Sequence, residues 1–300
     1  MRMRVTLQLP SPPVSRPRPF RNGERVLLLG LGYVAKSLRP HLLQHGLHVQ
    51  STLRADEAPS ASDQLPIGSG AFAEALGRAD YILVSIPPGR NGADAGIEAV
   101  SYLPMSPRWL GYLSATSVYG DRKGGWAHET DAPTPCLDRG RRRAASELAW
   151  LSRPVPTHIF RLAGIYGPGR DPFEKLRRGT ARVVEKPGHV VNRIHVDDIV
   201  FALILSMQRP SPQTIYNVSD GHPAGPGEVL DFAAGLIDAP QAERISIDDD
   251  RVSDMARSFY RETKRINHDR LRAHLDWSPL YPDYTSGLRA VLATDTRSLS

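Results

Sequence analysis

The segment that most constrains the fold is RVLLLGLGYVA at residues 25–35, where an apolar run leads directly into a Gly-x-Gly-x-x-Ala turn. Gly30 permits a tight bend after a strand, and Gly32, which has no Cβ, lets the backbone come close to a ligand. Ala35 is small enough for a following helix to pack closely on a sheet. The pattern predicts a strand, a glycine turn and a helix, the unit that opens a parallel α/β sheet.

The same unit predicts a phosphate site. A helix starting near Tyr33 directs free N–H groups and the positive end of its dipole at an anion. Apolar residues recur at helical spacing over residues 34–43, which supports the helix. Three small residues at the Gly-x-Gly-x-x-Ala spacing also occur in tight strand-to-helix turns that bind no ligand. The residues expected to hold the pyrophosphate of a dinucleotide are Gly30, Gly32, Tyr33, Val34 and Ala35.

Cofactor choice is predicted from the end of the second strand, expected over residues 47–52. A carboxylate there holds the ribose 2′-hydroxyl of NAD, whereas a cation accommodates the 2′-phosphate of NADP. The sequence offers Thr52 and Arg54 at this point and no acid. It therefore favours NADP over NAD, unless Arg54 is a solvated loop residue or Asp56 or Glu57 reaches the ribose instead.

Strands and helices alternate after this unit, which predicts a doubly wound parallel sheet of the Rossmann type. The strands are expected at 81–86, 109–114 and 157–162, and the helices at 71–76, 91–103 and 139–151. The strand at 81–86 ends in small and proline residues, so we expect Ser85, Ile86 and Pro87 to form a wall of the nucleotide crevice.

Three regions are predicted: a disordered tail rich in Arg and Pro at residues 1–22, a dinucleotide domain at 23–163, and a smaller C-terminal substrate lobe at 164–300 that is partly threaded back into the first domain. The net charge is +6, but the tail holds five arginines and no acid. Because the remainder carries only about +1, we expect no nucleic-acid partner.

The cysteine count and the hydropathy of the sequence exclude several classes of protein and of binding site. The single cysteine, Cys136, excludes an intramolecular disulfide framework and a cysteine-rich metal site, and no cluster with metal spacing occurs. No apolar run approaches the ~20 residues of a membrane helix, and no secretory signal is present. We expect a cytoplasmic protein without a metal or a membrane partner.

Five sequence blocks in order carry a family resemblance. They are GLGYVA at 30–35, LSATSVYGD at 113–121, RLAGIYGPGR at 161–170, NRIHVDD at 192–198 and IYNV at 215–218. Together they resemble the extended short-chain dehydrogenase/reductase superfamily, the group of nucleoside-diphosphate-sugar epimerases and dehydratases. The resemblance implies a Rossmann domain that binds NAD(P) and a C-terminal lobe that selects the substrate, often a nucleotide sugar.

Arginines of these blocks are candidates for substrate binding. Arg170 and Arg193 lie in turns or at strand ends, where a guanidinium can hold phosphate through two hydrogen bonds. Ion pairs with Asp171 or Asp197 are the alternative. His195 alternates with apolar residues, a pattern more typical of a structural histidine.

The chain departs from the family at the catalytic positions. Redox members use Tyr-x-x-x-Lys, a tyrosinate whose pKa is lowered by the lysine, and an upstream Ser or Thr. With Glu147 set on the glutamate that follows this motif, Arg139 and Arg143 replace the tyrosine and lysine, and Ala115 replaces the upstream hydroxyl residue. Arginine, with a pKa above ~12, is a poor proton donor near neutrality. The departures resemble the atypical subgroup of the superfamily.

Replacements for these groups are available nearby. Tyr119 supplies a phenol, Ser114, Thr116 or Ser117 a hydroxyl, and Asp121 or His128 a base, while Arg143 replaces the lysine as a cation at the cofactor ribose. Each also has a structural interpretation, such as packing for Tyr119. The candidates for catalysis are Tyr119, Ser114, Thr116 and Arg143.

The leading hypothesis is an NADP-binding oxidoreductase or epimerase/dehydratase-like enzyme that acts on a small-molecule substrate of the sugar or nucleotide-sugar type. The alternative is a cofactor-binding sensor or regulatory protein without turnover. A homodimer through helices 93–103 and 139–151 follows from the resemblance, although glycine interrupts the first helix.

Overall fold

The protein is described by a computed structural model that covers residues 16–53, 61–101 and 103–297. The strands, in chain order, are β1 (Arg25–Leu29), β2 (His48–Leu53), β3 (Gln64–Pro66), β4 (Tyr81–Val84), β5 (Trp109–Ala115), β6 (Trp126–Ala127), β7 (Thr157–Leu162), β8 (Gly164–Tyr166), β9 (Arg182–Glu185), β10 (Arg193–His195), β11 (Thr214–Val218), β12 (Glu243–Ser246) and β13 (Arg265–Ile266). The helices are α1 (Tyr33–Gln44), α2 (Gly70–Arg78), α3 (Ala95–Val100), α4 (Asp138–Leu151), α5 (Phe173–Arg177), α6 (Val196–Met207), α7 (Pro226–Leu236), α8 (Asp254–Phe259), α9 (Asp269–Leu275) and α10 (Tyr284–Arg297), with a 3-10 helix at Thr116–Tyr119.

A seven-stranded sheet forms the centre, with every pair parallel and the strand order β11-β7-β5-β4-β1-β2-β3. β4 and β7 are buried along their whole length because helices cover both faces of the sheet. The strand order runs in opposite directions from β1, toward β2 on one side and toward β4 on the other. This confirms the predicted Rossmann-type doubly wound fold and places a ligand crevice at the carboxyl end of β1.

Alternate residues of the strands enter two cores. On one face Val26 and Leu28 pack with apolar residues of α1, α6 and α9. On the other face Leu27 and Leu29 pack with residues of α2, α3 and α4, among them Trp150. The period of two in the strands therefore fixes which helices lie on which side.

The region after residue 163 contributes to both parts of the molecule. α5, β9, α7 and α10 enclose a third core that includes Phe173 and Leu288. In contrast, β11 pairs with β7 at the edge of the central sheet, and α6 packs on α1. The division into domains at residue 163 stays a prediction.

Two predicted boundaries differ from the structure. Residues 16–22, predicted as part of a disordered tail, lie against the folded body: the Arg18 N–H donates to the Gln208 carbonyl oxygen at 2.8 Å, and the Phe20 ring packs edge-on against Tyr81 at 5.6 Å. Phe20 anchors this segment through an apolar contact, which the high Arg and Pro content of the segment did not predict. The helix predicted at 91–103 is shorter, at Ala95–Val100, because Asp94 caps it only after the glycine-containing turn. Within the described ranges no helix is both long and apolar enough to span a bilayer.

Candidate functional site

A cavity of about 630 Å³ opens at the carboxyl ends of the parallel strands. Its floor is built from the residues that follow β1, β4, β5 and β7, and its side walls come from α4 and from the C-terminal region. This is where parallel sheets place ligands, because the loops after neighbouring strands converge there. The lining residues are Gly32, Tyr33, Val34, Ser85, Pro87, Leu113, Ser114, Ala115, Thr116, Ser117, Arg139, Arg143, Leu162, Ala163, Gly164, Ile165, Arg170, His189, Val190, Val191, Asn192, Phe259, Glu262 and Lys264.

The two glycines of the turn after β1 have different roles. Gly30 has a φ of +88°, and a Cβ built on it would lie 2.8 Å from Cγ1 of Ile86. Gly32 has a φ of −75°, and a Cβ there would have Ser85 Oγ as its nearest neighbour, at 4.0 Å. Gly30 is thus required by the protein's own backbone, whereas Gly32 keeps space open beside the cavity.

The first turn of α1 is prepared for an anion. Gly32 is its N-cap, no side chain caps its N–H groups, and no acid lies in the first turn. Tyr33 and Val34 line the cavity, while Ala35 is buried against the core, as its predicted packing role requires. An uncapped helix N-terminus beside open space fits the pyrophosphate of a dinucleotide.

The end of β2 is only partly described. Thr52 Oγ1 accepts a hydrogen bond from the Gly30 N–H at 2.8 Å, and Thr52 does not line the cavity, so this threonine holds the glycine turn in place. Arg54, Asp56 and Glu57 lie outside the described residues. The preference for NADP therefore stays a prediction.

The segment after β4 borders the same turn. The Ser85 hydroxyl donates to the Gly30 carbonyl oxygen at 2.9 Å, and Ser85 and Pro87 line the cavity. Ile86 packs behind Gly30 and is not among the lining residues. Ser85 and Pro87 therefore form part of the cavity wall, with Ile86 behind it, and their contact with a nucleotide stays a prediction.

Ser114 and Thr116, at the end of β5, both line the cavity. The Ser114 hydroxyl, however, donates to Glu147 Oε1 at 2.6 Å in the buried interior. Thr116 begins the 3-10 helix and is half-buried. Of the two predicted hydroxyl groups, Thr116 is therefore the one whose proton is not already donated to a buried carboxylate.

The predicted proton donor Tyr119 does not reach the cavity. Its side chain is buried; its hydroxyl donates to Asn217 Oδ1 at 2.7 Å and accepts from Arg161 Nη1 at 2.8 Å. Arg161 in turn pairs with Glu147 at 2.8 Å. Burial raises the pKa of Tyr119 to about 12. The assignment of Tyr119 to proton transfer does not fit this position, because the 3-10 helix turns its ring into the core and away from the cavity.

Arg139 and Arg143, one helical turn apart on α4, both reach the cavity. Arg143 Nη1 donates to the Leu113 carbonyl oxygen at 2.6 Å and to the Tyr112 hydroxyl at 3.2 Å. Arg139 Nη1 donates to Ser258 Oγ at 2.8 Å, and its guanidinium lies 4.1 Å from the centre of the Phe259 ring. The two positions that carry Tyr and Lys in the resembling family therefore remain part of the cavity wall.

The two arginines predicted to bind substrate are separated. Arg170 lines the cavity, with its guanidinium 5.6 Å from the centre of the Tyr33 ring. Arg193 is not among the lining residues and donates to the carbonyl oxygens of Val191 and Ala224, at 2.9 and 3.1 Å. Arg193 therefore holds two loops together, and its predicted role at the substrate does not fit the structure.

The remaining predicted candidates have structural roles. His195 Nδ1 accepts from the Asp197 N–H at 3.2 Å and caps α6. Asp121 Oδ1 accepts from the backbone N–H groups of Lys123 and Thr263, and neither it nor His128 lines the cavity.

Sequence reasoning missed the wall contributed by residues 189–192 and 259–264. Lys264 Nζ donates to Glu262 Oε2 at 2.7 Å, and Glu262 Oε1 accepts from the Cys136 thiol at 2.9 Å. His189 Nδ1 lies 2.8 Å from Thr263 Oγ1, and burial lowers the pKa of His189, so that its neutral form prevails at pH 7. In the sequence, this wall is marked only by a glutamate and a lysine two residues apart. Its two segments are far apart along the chain, since His189 lies 74 residues from its hydrogen-bond partner Thr263.

Among the described residues no group of three or more His, Cys, Asp or Glu side chains is placed to hold a metal ion. The cavity combines an uncapped helix N-terminus with the cationic side chains of Arg139, Arg143, Arg170 and Lys264.

Comparison with known proteins identifies relatives. The chain is 31% identical to Protein YeeZ of Escherichia coli (strain K12) over 225 residues, which cover 67% of this chain and 80% of that protein. A functionally unknown conserved protein of Silicibacter pomeroyi DSS superimposes with a TM-score of 0.82 at 40% identity, covering 90% of this chain and 99% of that chain. No family model matches the sequence.

More distant structures share the fold. MoeE5 in complex with UDP-glucose and NAD has a TM-score of 0.74 at 20% identity and covers 93% of this chain and 100% of its own. UDP-glucuronic acid 4-epimerase from Bacillus cereus, in complex with UDP-glucuronic acid and NAD, has a TM-score of 0.70 at 15% identity and covers 91% and 99%. The chain belongs to the family of Protein YeeZ, and its fold is that of the NAD-dependent epimerases and dehydratases of the short-chain dehydrogenase/reductase superfamily.

Proposed function

We propose that this chain is an NADP-dependent oxidoreductase or epimerase-like enzyme that acts on a sugar or nucleotide-sugar type substrate. The observation that carries the proposal is a single cavity with two parts: a glycine turn with an uncapped helix N-terminus, and a chamber lined by Arg139, Arg143, Arg170 and Lys264. A cofactor and an anionic substrate would meet where these parts join.

In the cofactor half, Gly32, Tyr33 and Val34 would hold the pyrophosphate at the start of α1, with Ser85 and Pro87 beside it. When bound, a nicotinamide cofactor supplies a centre that accepts or donates hydride. Arg54 would hold the 2′-phosphate of NADP, as its sequence position indicates. The structures of MoeE5 and of the Bacillus cereus epimerase contain NAD, which supports a nicotinamide dinucleotide in this fold.

In the substrate half, Arg170 and Lys264 are placed to hold phosphate oxygens, and Thr116 to hydrogen-bond a substrate hydroxyl or carbonyl. Arg143 would orient the cofactor ribose from its anchored position at Leu113. Because Tyr119 lies outside the cavity, we assign proton exchange to His189 or to the pair formed by Glu262 and Lys264, which line it. The UDP-sugars in the structures of MoeE5 and the Bacillus cereus epimerase support a substrate of this class.

A second candidate function, a cofactor-binding sensor without turnover, is favoured by one observation. Ala115 and Arg139 occupy the positions of the family's Ser and Tyr, and the phenol predicted to replace that tyrosine, Tyr119, is buried and bonded to Arg161 and Asn217. In that case the cavity would bind NADP without catalysing a reaction.

The cofactor proposal is tested by titrating the purified chain with NADPH and NADH while following nicotinamide fluorescence. We expect micromolar binding of NADPH and weaker binding of NADH. Gly32→Asp places a carboxylate in the open space beside the phosphates, and like-charge repulsion of several kcal/mol predicts a loss of about 100-fold or more. Gly70→Asp is the matched control, since it adds the same side chain at an exposed, unobstructed helix start away from the cavity.

The results of this titration distinguish the two candidate functions. If neither nucleotide binds, or if both glycine variants bind as the wild type does, the cofactor cradle is refuted. If NADPH binds and a set of UDP-sugars produces no change in the oxidation state or the sugar product, the sensor function replaces the enzyme.

A further inference from the structure

The wall formed by Arg139 and Arg143 carries positive charge that the described part of the protein does not neutralise. The hydrogen bonds of Arg143 go to a carbonyl oxygen and a phenol, and those of Arg139 go to the hydroxyl and carbonyl oxygens of Ser258. Neither guanidinium forms an ion pair with a described carboxylate, whereas Arg141, on the same helix, pairs with Asp138 at 2.5 Å. Both uncompensated guanidinium groups border the same cavity.

The position of Arg139 is unfavourable for the helix alone. It lies in the first turn of α4, where the positive end of the dipole disfavours a cation, and it begins a run of four arginines in five residues. An anion beside Arg139 would remove this repulsion. A sequence that keeps such a charge at a helix start, inside a cavity, is expected to do so for a ligand.

The groups that face this wall do not supply the missing negative charge. Glu262 is the single carboxylate among the described lining residues, and it is paired with Lys264. Arg170 adds another cation, and burial lowers the pKa of His189, which leaves that ring neutral at pH 7. The chamber therefore has a net positive charge when empty of ligand.

The contacts that hold Arg139 are replaceable. Ser258 and Phe259 belong to α8, a short helix with no buried residue, and the Phe259 side chain is 56% exposed. A guanidinium can keep its stacking on Phe259 while its N–H groups turn from the Ser258 hydroxyl to a stronger acceptor.

We propose that Arg139, supported by Arg143, binds an oxyanion of the substrate, a carboxylate or a phosphate, at the wall where the redox members that this chain resembles carry a tyrosine. The assignment of this oxyanion to the substrate rests on the proposed function. According to this proposal, the substrate carries an anionic group at the end that faces Ala115 and Thr116. This group is additional to any diphosphate bound near Arg170.

The test measures binding, so it needs no knowledge of the reaction. The full chain is saturated with NADP⁺ to fill the cofactor cradle and is titrated calorimetrically with malonate, inorganic phosphate and the neutral analogue malonamide. The variants are Arg139→Gln, Arg139→Lys and the control Arg142→Gln, whose side chain lies on the same helix but donates to the Arg90 carbonyl oxygen outside the cavity.

We expect wild type and Arg142→Gln to bind malonate or phosphate equally and malonamide not at all. Arg139→Gln should weaken anion binding about 10- to 100-fold, as for loss of a hydrogen bond to a charged group. Arg139→Lys should fall between them because it keeps the charge without the planar fork. Tighter binding of phosphate than of malonate assigns the oxyanion to a phosphate, and the reverse order assigns it to a carboxylate.

Equal anion binding by wild type and Arg139→Gln, or no anion binding by the wild type, overturns the proposal. NADP⁺ binding and the melting temperature of each variant show that the fold is intact. If the chain binds no NADP⁺, the proposed function fails, and the same anion titration of the cofactor-free chain still decides whether Arg139 forms an oxyanion site.

Discussion

Gly30 and Gly32 illustrate what single residues decide in this protein. The positive φ of Gly30 and its contact with Ile86 are demands of the backbone, whereas the space at Gly32 has no protein atom to fill it. One motif therefore contains a residue that the backbone requires and a residue whose missing Cβ leaves space open beside the cavity. The Gly-x-Gly spacing predicts both, but only the positions of Ile86 and Ser85 tell them apart.

The prediction for a single residue concerns the hydroxyl group of Tyr119. Tyr119→Phe removes the hydroxyl that joins Arg161 to Asn217, so we expect the free energy of unfolding to fall by about 1–2 kcal/mol. NADPH binding should stay unchanged because Tyr119 does not line the cavity. Urea unfolding and the fluorescence titration measure the two quantities.

The control for this prediction is Tyr284→Phe, which removes a hydroxyl that donates to Glu228 at an exposed site and should change stability by less than about 0.5 kcal/mol. A loss of NADPH affinity in Tyr119→Phe without a loss of stability would return this tyrosine to the functional site.

At the scale of elements, a buried ion pair joins α4 to β7. Glu147 accepts from Arg161, and Ser114 from β5 and Tyr119 from the 3-10 helix complete the network. Burial by itself lowers the pKa of the Arg161 guanidinium, but the Glu147 carboxylate and the Tyr119 hydroxyl together more than offset this and raise it. The network holds the helix that carries Arg139 and Arg143 against the sheet, and so sets the depth of the cavity.

The Glu147→Gln variant tests how much this buried ion pair contributes to stability. It leaves a buried guanidinium without its counter-charge, so we expect the free energy of unfolding to fall by about 3–5 kcal/mol. Glu74→Gln breaks an exposed pair within α2, with Arg78, and should cost less than about 1 kcal/mol. Equal effects of the two variants in urea unfolding would show that the buried pair contributes no more than a surface pair.

At the scale of the whole molecule, the buried residue Asp220 links the end of β11 to β10. Asp220 follows β11, its N–H donates to the Arg193 carbonyl oxygen at 2.9 Å, and its Oδ2 has no hydrogen-bond partner among the described residues. Burial raises the pKa of Asp220 from its ordinary 3.8 to about 7. Because the folded state holds this proton more tightly than the unfolded chain, the stability that it contributes is fully present below pH 3.8 and is lost as the pH rises through 7.

Asp220→Asn should therefore flatten the pH dependence of stability. We expect the wild type to lose on the order of 2 kcal/mol more than the variant between about pH 4.5 and 8, since each unit of pKa shift corresponds to about 1.4 kcal/mol. Urea unfolding at both pH values measures the difference, with the exposed Asp248→Asn as a control. Parallel pH profiles for wild type and Asp220→Asn would contradict the assignment.

Local sequence patterns specify most strands of the central sheet and the glycine turn after β1. Strands β5 and β7 were predicted to within one residue, because each is a short run rich in aliphatic and aromatic residues between segments with helix or loop patterns. The turn at Gly30 was predictable because its chemistry is local. The NADP preference, the proposed reaction and the domain boundary remain predictions.

Tertiary structure decided which side chains share the cavity. It turned Tyr119 into the core and Arg193 away from the cavity, and it brought Glu262 and Lys264 into the cavity wall. The loops that form this wall are far apart in sequence and carry no periodic pattern, so no local rule assigns them a face. A strand is specified by its own residues, whereas a cavity is specified by the side chains that packing brings together.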